Sequence, residues 1–289
     1  MSKKHKRCAL AFILSAVLIM IGASLLLSRY GLAVSRFSIS AEQLSEPIRV
    51  VHLSDLHNSE FGAHNRRLVK KVAAQEPDLI LITGDLLNLN EERTDVAEEL
   101  IAQLAPIAPV YVSFGNHEKT YETKYKTDLR ELYTCAGATV LEYDWTDVEV
   151  KDQTIRIGGL YGYCLPADLR ETGEAREKEC DYLEAFQDTE AFTVLLCHMP
   201  YCWLVTRSLD SWDVDLVLCG HVHGGQIRFP WIGGLWAPDQ GWFPGRECGL
   251  YWSKDGSKVM ALSRGLGNTD KYPRFNNIPE TMVLDLLPK

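Results

Sequence analysis

The sequence predicts an α/β protein in which two β-sheets pack face to face between flanking helices, carried behind an N-terminal transmembrane helix. Three observations lead there. Short apolar runs alternate with amphipathic stretches along most of the chain, which is the pattern of α/β architecture. About ten such runs stand against few helices, which favours two packed sheets over one doubly wound sheet. The stretch Cys8–Leu27 is twenty residues without a charge, broken only by Ser15, Gly22 and Ser24.

That stretch, at about 1.5 Å per residue, is about 30 Å long as a helix, the thickness of a bilayer's hydrocarbon core. A cleaved signal peptide has a shorter apolar centre, and the nearest small-residue cleavage candidate, Ala33-Val34-Ser35, lies beyond Arg29 and Tyr30. An uncleaved anchor over residues 8–27 is therefore the favoured reading. Lys3, Lys4, Lys6 and Arg7 precede it and place the N-terminus in the cytoplasm, with the rest of a single-pass protein outside the cell membrane. Residues 28–46 read as a short polar stalk and Pro47 opens the folded part. This divides the chain into 1–46 (basic tip, anchor and stalk) and 47–289 (one domain).

Within the domain, Ile48–Leu53, Asp78–Thr83 and Val110–Phe114 read as buried strands. His64–Gln75 and Arg93–Leu104 read as the helices between them, with Leu68, Val72 and Val96, Leu100, Leu104 at helical spacing. A helix is expected around Tyr121–Cys135, then antiparallel strands at Val148–Val150 and Thr154–Leu160, then an acidic helical region from about Glu174 to Phe186. Phe192–Cys197 and Val214–Cys219 are further buried strands, and Lys258–Ser263 and Met282–Leu286 close the chain.

Charge narrows the functions. Residues 1–30 carry five basic residues and no acid, so the remainder holds −14 of a net −9. An acidic body argues against a nucleic-acid groove, whose affinity rests on clustered Lys and Arg. The eight cysteines include no CxxC pair, which removes thiolate zinc knuckles and thioredoxin-like sites, and no disulfide is assigned.

Five strands end in metal-type residues: Ser54-Asp55-Leu56-His57, Gly84-Asp85, Gly115-Asn116-His117-Glu118, His198, and Gly220-His221-Val222-His223. The carboxyl ends of strands in α/β folds converge on one crevice, so these segments can meet. Seven hard or borderline N and O donors there would hold two metal ions. Asp55 and His57, or His221 and His223, share a side if the strand continues, and reach opposite ions if it turns. The glycines before Asp85, Asn116 and His221 permit tight turns.

This ordered set closely resembles the calcineurin-like metallophosphoesterases. Gly224-Gly225-Gln226-Ile227, Ser263-Arg264-Gly265-Leu266-Gly267 and Pro279-Glu280 are similar to the membrane-anchored bacterial branch. The resemblance implies a β-sandwich covered by helices on both outer faces. It implies that Asp55, His57 and His223 hold one divalent ion (Mn, Fe or Zn), that Asn116, His198 and His221 hold the other, and that Asp85 bridges them. His117 would be the catalytic histidine.

The implied activity is a metal-dependent hydrolase of phosphate esters, acting through a metal-bridged hydroxide on a phosphodiester or pyrophosphate. A lipid-linked substrate is the narrower reading, motivated by the anchor and by Trp231, Trp236, Trp242 and Trp252. That aromatic segment reads equally as a functional surface, either a substrate wall or a face resting on the bilayer, and as a long loop packed on its own aromatics. Glu118 is read either as the acceptor that orients His117 or as a surface salt bridge, and Arg228, Arg246, Arg264 and Arg274 as phosphate contacts or solvated arginines. His52 and His64 are read as structural. The alternative to an enzyme is a catalytically silent binding or scaffold protein on the same fold, which would have lost ligands where this chain retains every one.

Overall fold

The computed structural model describes residues 3–162, 164–170, 176–268 and 273–289. Helix α1 (Lys3–Tyr30) is followed after two residues by β1 (Ala33–Ala41) and β2 (Ile48–Leu53). Then come α2 (Arg66–Ala73), β3 (Leu79–Ile82), α3 (Asp95–Leu104), β4 (Val110–Val112), α4 (Asn116–Tyr125), α5 (Leu129–Cys135) and β5 (Ala138–Val140). The second half runs β6 (Asp144–Val150), β7 (Gln153–Leu160), α6 (Glu177–Phe186), β8 (Phe192–Cys197), α7 (Tyr201–Leu204), α8 (Ser208–Ser211) and β9 (Leu216–Cys219). Four two-residue strands follow, β10 (Arg228–Phe229), β11 (Gly233–Gly234), β12 (Trp236–Ala237) and β13 (Gly241–Trp242). The chain ends with β14 (Gly249–Trp252), β15 (Val259–Leu262) and β16 (Glu280–Pro288).

Two six-stranded sheets result, ordered β1-β16-β2-β3-β4-β5 and β14-β15-β9-β8-β7-β6. Each contains a parallel centre, β2 to β5 in the first and β15-β9-β8-β7 in the second, with an antiparallel pairing beside it. The strands alternate between two apolar environments. Leu79 and Leu81 of β3 meet Ile155, Val194 and Leu218 between the sheets, while Ile80 and Ile82 face Leu68, Val96 and Leu100 of the helices. On the far side Leu195, Val217 and Met260 face Leu183 and Phe186 of α6. Burial on both faces is why β3 and β9 are continuously apolar. The architecture is helix, sheet, sheet, helix, as the sequence predicts.

Three elements differ from expectation. Residues 28–46 are no polar stalk: α1 continues to Tyr30, and Ala33–Ala41 pairs in parallel with β16 along its whole length. Phe37, Ile39 and Ala41 join the inter-sheet core while the alternating residues face outward, so this edge strand is polar enough to read as a linker. The helix expected around Tyr121–Cys135 is two helices. Lys126 turns left-handed and Asp128 caps α5 by accepting the N–H of Glu131 at 2.9 Å. The acidic helix begins at Glu177, and residues 174–175 of that expectation lie outside the described residues.

Among the described residues α1 is the one helix long and apolar enough to cross a membrane, over Lys4–Tyr30, and its apolar side chains are exposed. Ile39→Ala is expected to lower stability by about 2–3 kcal/mol in thermal unfolding, whereas Ser40→Ala on the outward face changes it by less than about 0.5 kcal/mol. Equal, negligible effects at both positions would return this segment to the role of a linker.

Candidate metal centre

The parallel strands of both sheets deliver their carboxyl ends to one place. Just beyond β2 and β3 stand Asp55, His57 and Asp85, and α4 follows β4 after three residues, so Asn116 and His117 occupy its first turn. The second sheet contributes His198 after β8 and His221 and His223 after β9.

Among the described residues, three groups have donor atoms within 4.8 Å of one another: Asp55, His57, His223; His57, Asp85, His117; and Asp85, His198, His221. Asp85 Oδ2 lies 3.2 Å from His198 Nε2, 3.8 Å from His57 Nε2 and 3.9 Å from His117 Nε2. Asp55 Oδ1 lies 3.6 Å from His223 Nε2 and 3.9 Å from both His57 and His198 Nε2. β9 ends at Cys219, so the chain is turning at the His pair. His221 joins the Asp85 group and His223 the Asp55 group, the second of the two arrangements the spacing allows.

Holding these side chains distorts the backbone. Asp55, His57, Asp85, His221 and His223 all have positive φ, between 47° and 72°. Asp and His tolerate this region better than most residues, yet it still carries strain of a kind that collects at functional sites. The glycines serve two purposes. Gly84 has φ +83°, and a Cβ there would lie 2.1 Å from Gly115 N. Gly115 and Gly220 have no left-handed φ, and at Gly220 the reason is proximity: a Cβ would lie 1.9 Å from Ser54 Oγ.

Glu118 fits neither sequence reading. It is fully buried, and its carboxylate accepts the N–H groups of Asp85 at 2.7 Å, Leu86 at 2.7 Å and Gly115 at 2.9 Å. It clamps the Asp85 loop to the start of α4. The imidazole of His117 is oriented instead by the Leu87 carbonyl, 3.1 Å from Nδ1. A carbonyl only accepts, so Nδ1 carries a proton and Nε2 faces Asp85. His198 is held likewise, with Nδ1 donating to Thr83 O at 2.6 Å.

The fit to metal rests on unsatisfied atoms. Both ring nitrogens of His57 and Oδ1 of Asn116 are buried without a hydrogen-bond partner among the described residues. Buried polar atoms are ordinarily paired, and coordination of an ion is one of the standard reasons for a cluster that is not paired within the protein. Imidazole nitrogens with carboxylate and amide oxygens suit divalent first-row ions.

Electrostatics without metal are those of an ion pair among neutral rings. Burial alone would raise the Asp85 carboxyl, but the charge and hydrogen bond of His198 hold it well below the ordinary range. Burial alone would lower His198, but Asp85 and then Asp55 push it up to about 10. Burial lowers His57 to about 4 and pushes His223 well below its usual value.

The other singled-out residues sort clearly. His52 is buried against Thr83 Oγ1 at 2.8 Å, and exposed His64 pairs with Glu99. Arg264 pairs with Glu280, and Arg228 with Glu247. Arg246 donates to the Leu204 carbonyl. Arg274 is buried behind His223, donating to its carbonyl and to Gly267 O, so it is no solvated arginine. Asp239, which sequence reasoning missed, contacts His221 Nε2 at 3.1 Å. It sits in the aromatic segment with no local signal to mark it.

A model of the calcineurin-like phosphoesterase family matches residues 48–225. The chain is 29% identical over 252 residues to "Phosphodiesterase YaeI" of Escherichia coli K12, covering 83% of each protein. It is also 29% identical to an "uncharacterized metallophosphoesterase" of Aquifex aeolicus, covering 74% of this chain and 78% of that one. A zebrafish "transmembrane protein with metallophosphoesterase domain" is 30% identical, over 79% of this chain and 52% of that one.

Protonation of buried rings sets an acid limit. His52 and His57 are held at about 4 when folded against an ordinary 6.5. Their contribution to stability is complete above pH 6.5 and is lost as pH falls toward 4, because the unfolded chain takes up protons that the folded chain refuses. His198, raised rather than lowered, contributes a constant amount across that window. The unfolding midpoint of chelator-treated protein should therefore fall between pH 6.5 and 4; a flat profile there would contradict buried neutral rings.

Proposed function

The chain belongs to the calcineurin-like phosphoesterase family and is a metal-dependent hydrolase, and from that premise we propose that it is a membrane-anchored phosphodiesterase or pyrophosphatase with its catalytic domain outside the cytoplasm. The observation that carries this reading is the convergence of ligand-type side chains from two sheets, with buried donor atoms left unpaired. Asp55, His57 and His223 would hold one ion and Asn116, His198 and His221 the other, with Asp85 between them.

Bound ions would supply positive charge to the phosphoryl oxygens and lower the pKa of water at neutral pH. The protein's own residues do the rest. Asp85 Oδ1 accepts the His117 N–H at 2.8 Å, and this ties the first turn of α4 to the centre. His117, held by Leu87, presents Nε2 and in its protonated form would donate to the leaving oxygen.

We divide the chain into a basic cytoplasmic tip and anchor, ending at Tyr30, and a catalytic domain that starts with β1. The basic residues before the anchor support this orientation, and the zebrafish relative is by its name a transmembrane protein. The finer substrate reading is a lipid-linked phosphodiester or pyrophosphate. In its favour, a cavity of about 940 Å³, lined by Leu204, Leu250 and Trp252 together with the charged Arg207, Asp210 and Arg246, shares Tyr201 and Asp239 with a smaller one at Met199, next to His198.

Metal analysis and hydrolysis of an activated aryl phosphodiester with added Mn test the core of this. Asp85→Ala is expected to abolish turnover, and His117→Ala to retain metal while lowering kcat by about 10²–10⁴. Metal loss in the His117 variant, or unchanged turnover in the Asp85 variant, would overturn the assignment. On paired substrates with the same headgroup, the bilayer-embedded form should be hydrolysed faster than the soluble one; equal rates would remove the lipid-linked reading and leave the phosphodiesterase standing.

A further inference from the structure

Helix α1 is clamped to the domain. Ser28 Oγ accepts the Asn277 N–H at 3.0 Å, and Ser24 Oγ, one turn away, accepts the Asn276 N–H at 2.9 Å. The Tyr30 carbonyl accepts from Arg67 at 3.1 Å, and only Gly31 and Leu32 separate α1 from β1. The domain therefore holds a set orientation to the helix axis. Ser24 lies three residues inside the end of the uncharged run Cys8–Leu27, so residue 276 meets α1 where hydrocarbon gives way to headgroups.

Asn276 also reaches away from the helix. Its Nδ2 donates to the Arg228 carbonyl at 3.3 Å, and Ile227 bridges to Phe275, so two hydrogen bonds through Asn276 connect the start of β10 to the anchor. β10 and β11 form a hairpin whose tip carries Trp231, 102% exposed, and Ile232, 63% exposed. In the next pair Trp236 faces Trp242, 69% exposed, and Phe243 follows. Among the described residues outside α1, six of the nine exposed large hydrophobics lie between Phe229 and Phe243. Apolar groups this concentrated on a soluble surface mark a contact, and tryptophan favours the lipid–water interface.

We propose that the β10–β13 segment is a second membrane contact, seated in the interface of the same bilayer that carries α1. This rests on the reading of α1 as an anchor. Because α1 already holds the domain at the membrane, the contact is intramolecular in effect and needs little affinity of its own. It fixes the height of the metal centre above the lipid. Asn277, pinned to Ser28, donates Nδ2 to the His223 carbonyl at 2.7 Å, so two hydrogen bonds connect the anchor to the turn bearing a ligand.

The anchor contains no tryptophan, so lipid quenching of tryptophan fluorescence reports only the domain. The full chain is reconstituted in phosphatidylcholine vesicles with increasing fractions of lipid brominated near the headgroup end of the acyl chains. The wild type should be quenched, and W231F with W242F should lose most of that quenching. W145F, on β6 at the far edge of the second sheet, should leave it unchanged. No quenching in chain that stays with the vesicles through an alkaline carbonate wash overturns the second contact and leaves the anchor standing, as does full quenching in the W231F/W242F variant. A second copy of the chain covering the patch would give the first of these results. A chain stripped off by carbonate overturns the anchor reading itself.

Discussion

Two fully buried carboxylates, Asp55 and Asp85, are the constraint around which this protein is arranged. They stand at the ends of neighbouring parallel strands in the first sheet, and the groups that offset their charge come largely from the second. His198, held positive by Asp85, is the nearest of these. The sandwich must therefore pack so that the carboxyl ends of β2 and β3 face those of β8 and β9. The inter-sheet core of Leu79, Leu81, Val194 and Leu218 secures that alignment. An unpaired buried charge would cost several kcal/mol, so misalignment of the sheets is strongly disfavoured.

The strain in the centre follows from the same requirement. Side chains from several strands can aim at one point only if the backbone turns sharply after each, and five ligand-type residues adopt left-handed φ to do so. What holds them there is a set of buried hydrogen bonds. Glu118 gathers the N–H groups of the Asp85 loop, Asp55 accepts the His221 N–H at 3.0 Å, and the Leu266 N–H is anchored on Ser54 O at 3.0 Å. Gly265 and Gly267 leave room for this last contact, since a Cβ on either would strike Asp55 or Leu56.

Charge and membrane geometry complete the picture. The body of the protein is acidic, its arginines near the centre are occupied by glutamates or carbonyls, and attraction for an anionic phosphate ester falls to bound metal. The clamp between α1 and residues 276–277 means that whatever α1 rests in also positions the centre.

The residue types and their order were legible in the sequence because chemistry leaves few substitutes for Asp, Asn and His as ligands, and because each stands directly after an apolar run. Strands β2 and β8 were legible to the residue, since burial on both faces makes most of their residues apolar. β1 was not, because an edge strand is half exposed and its alternating serines resemble a linker. Nor was the break after α4, which depends on one left-handed lysine and the Asp128 cap. The carboxylate of Glu118 and that of Asp239 carry no local mark of their roles. Apart from Gly115, the partners of Glu118 lie 32 and 33 residues away, and that of Asp239 lies 18 away, across loops whose meeting is decided by packing. By itself the sequence determined which atoms could bind metal and that an apolar helix precedes them. Only the tertiary structure decided which ligands share a group, which residue clamps them and how the helix is joined to the centre, because each of these depends on distances set by the alignment of two sheets.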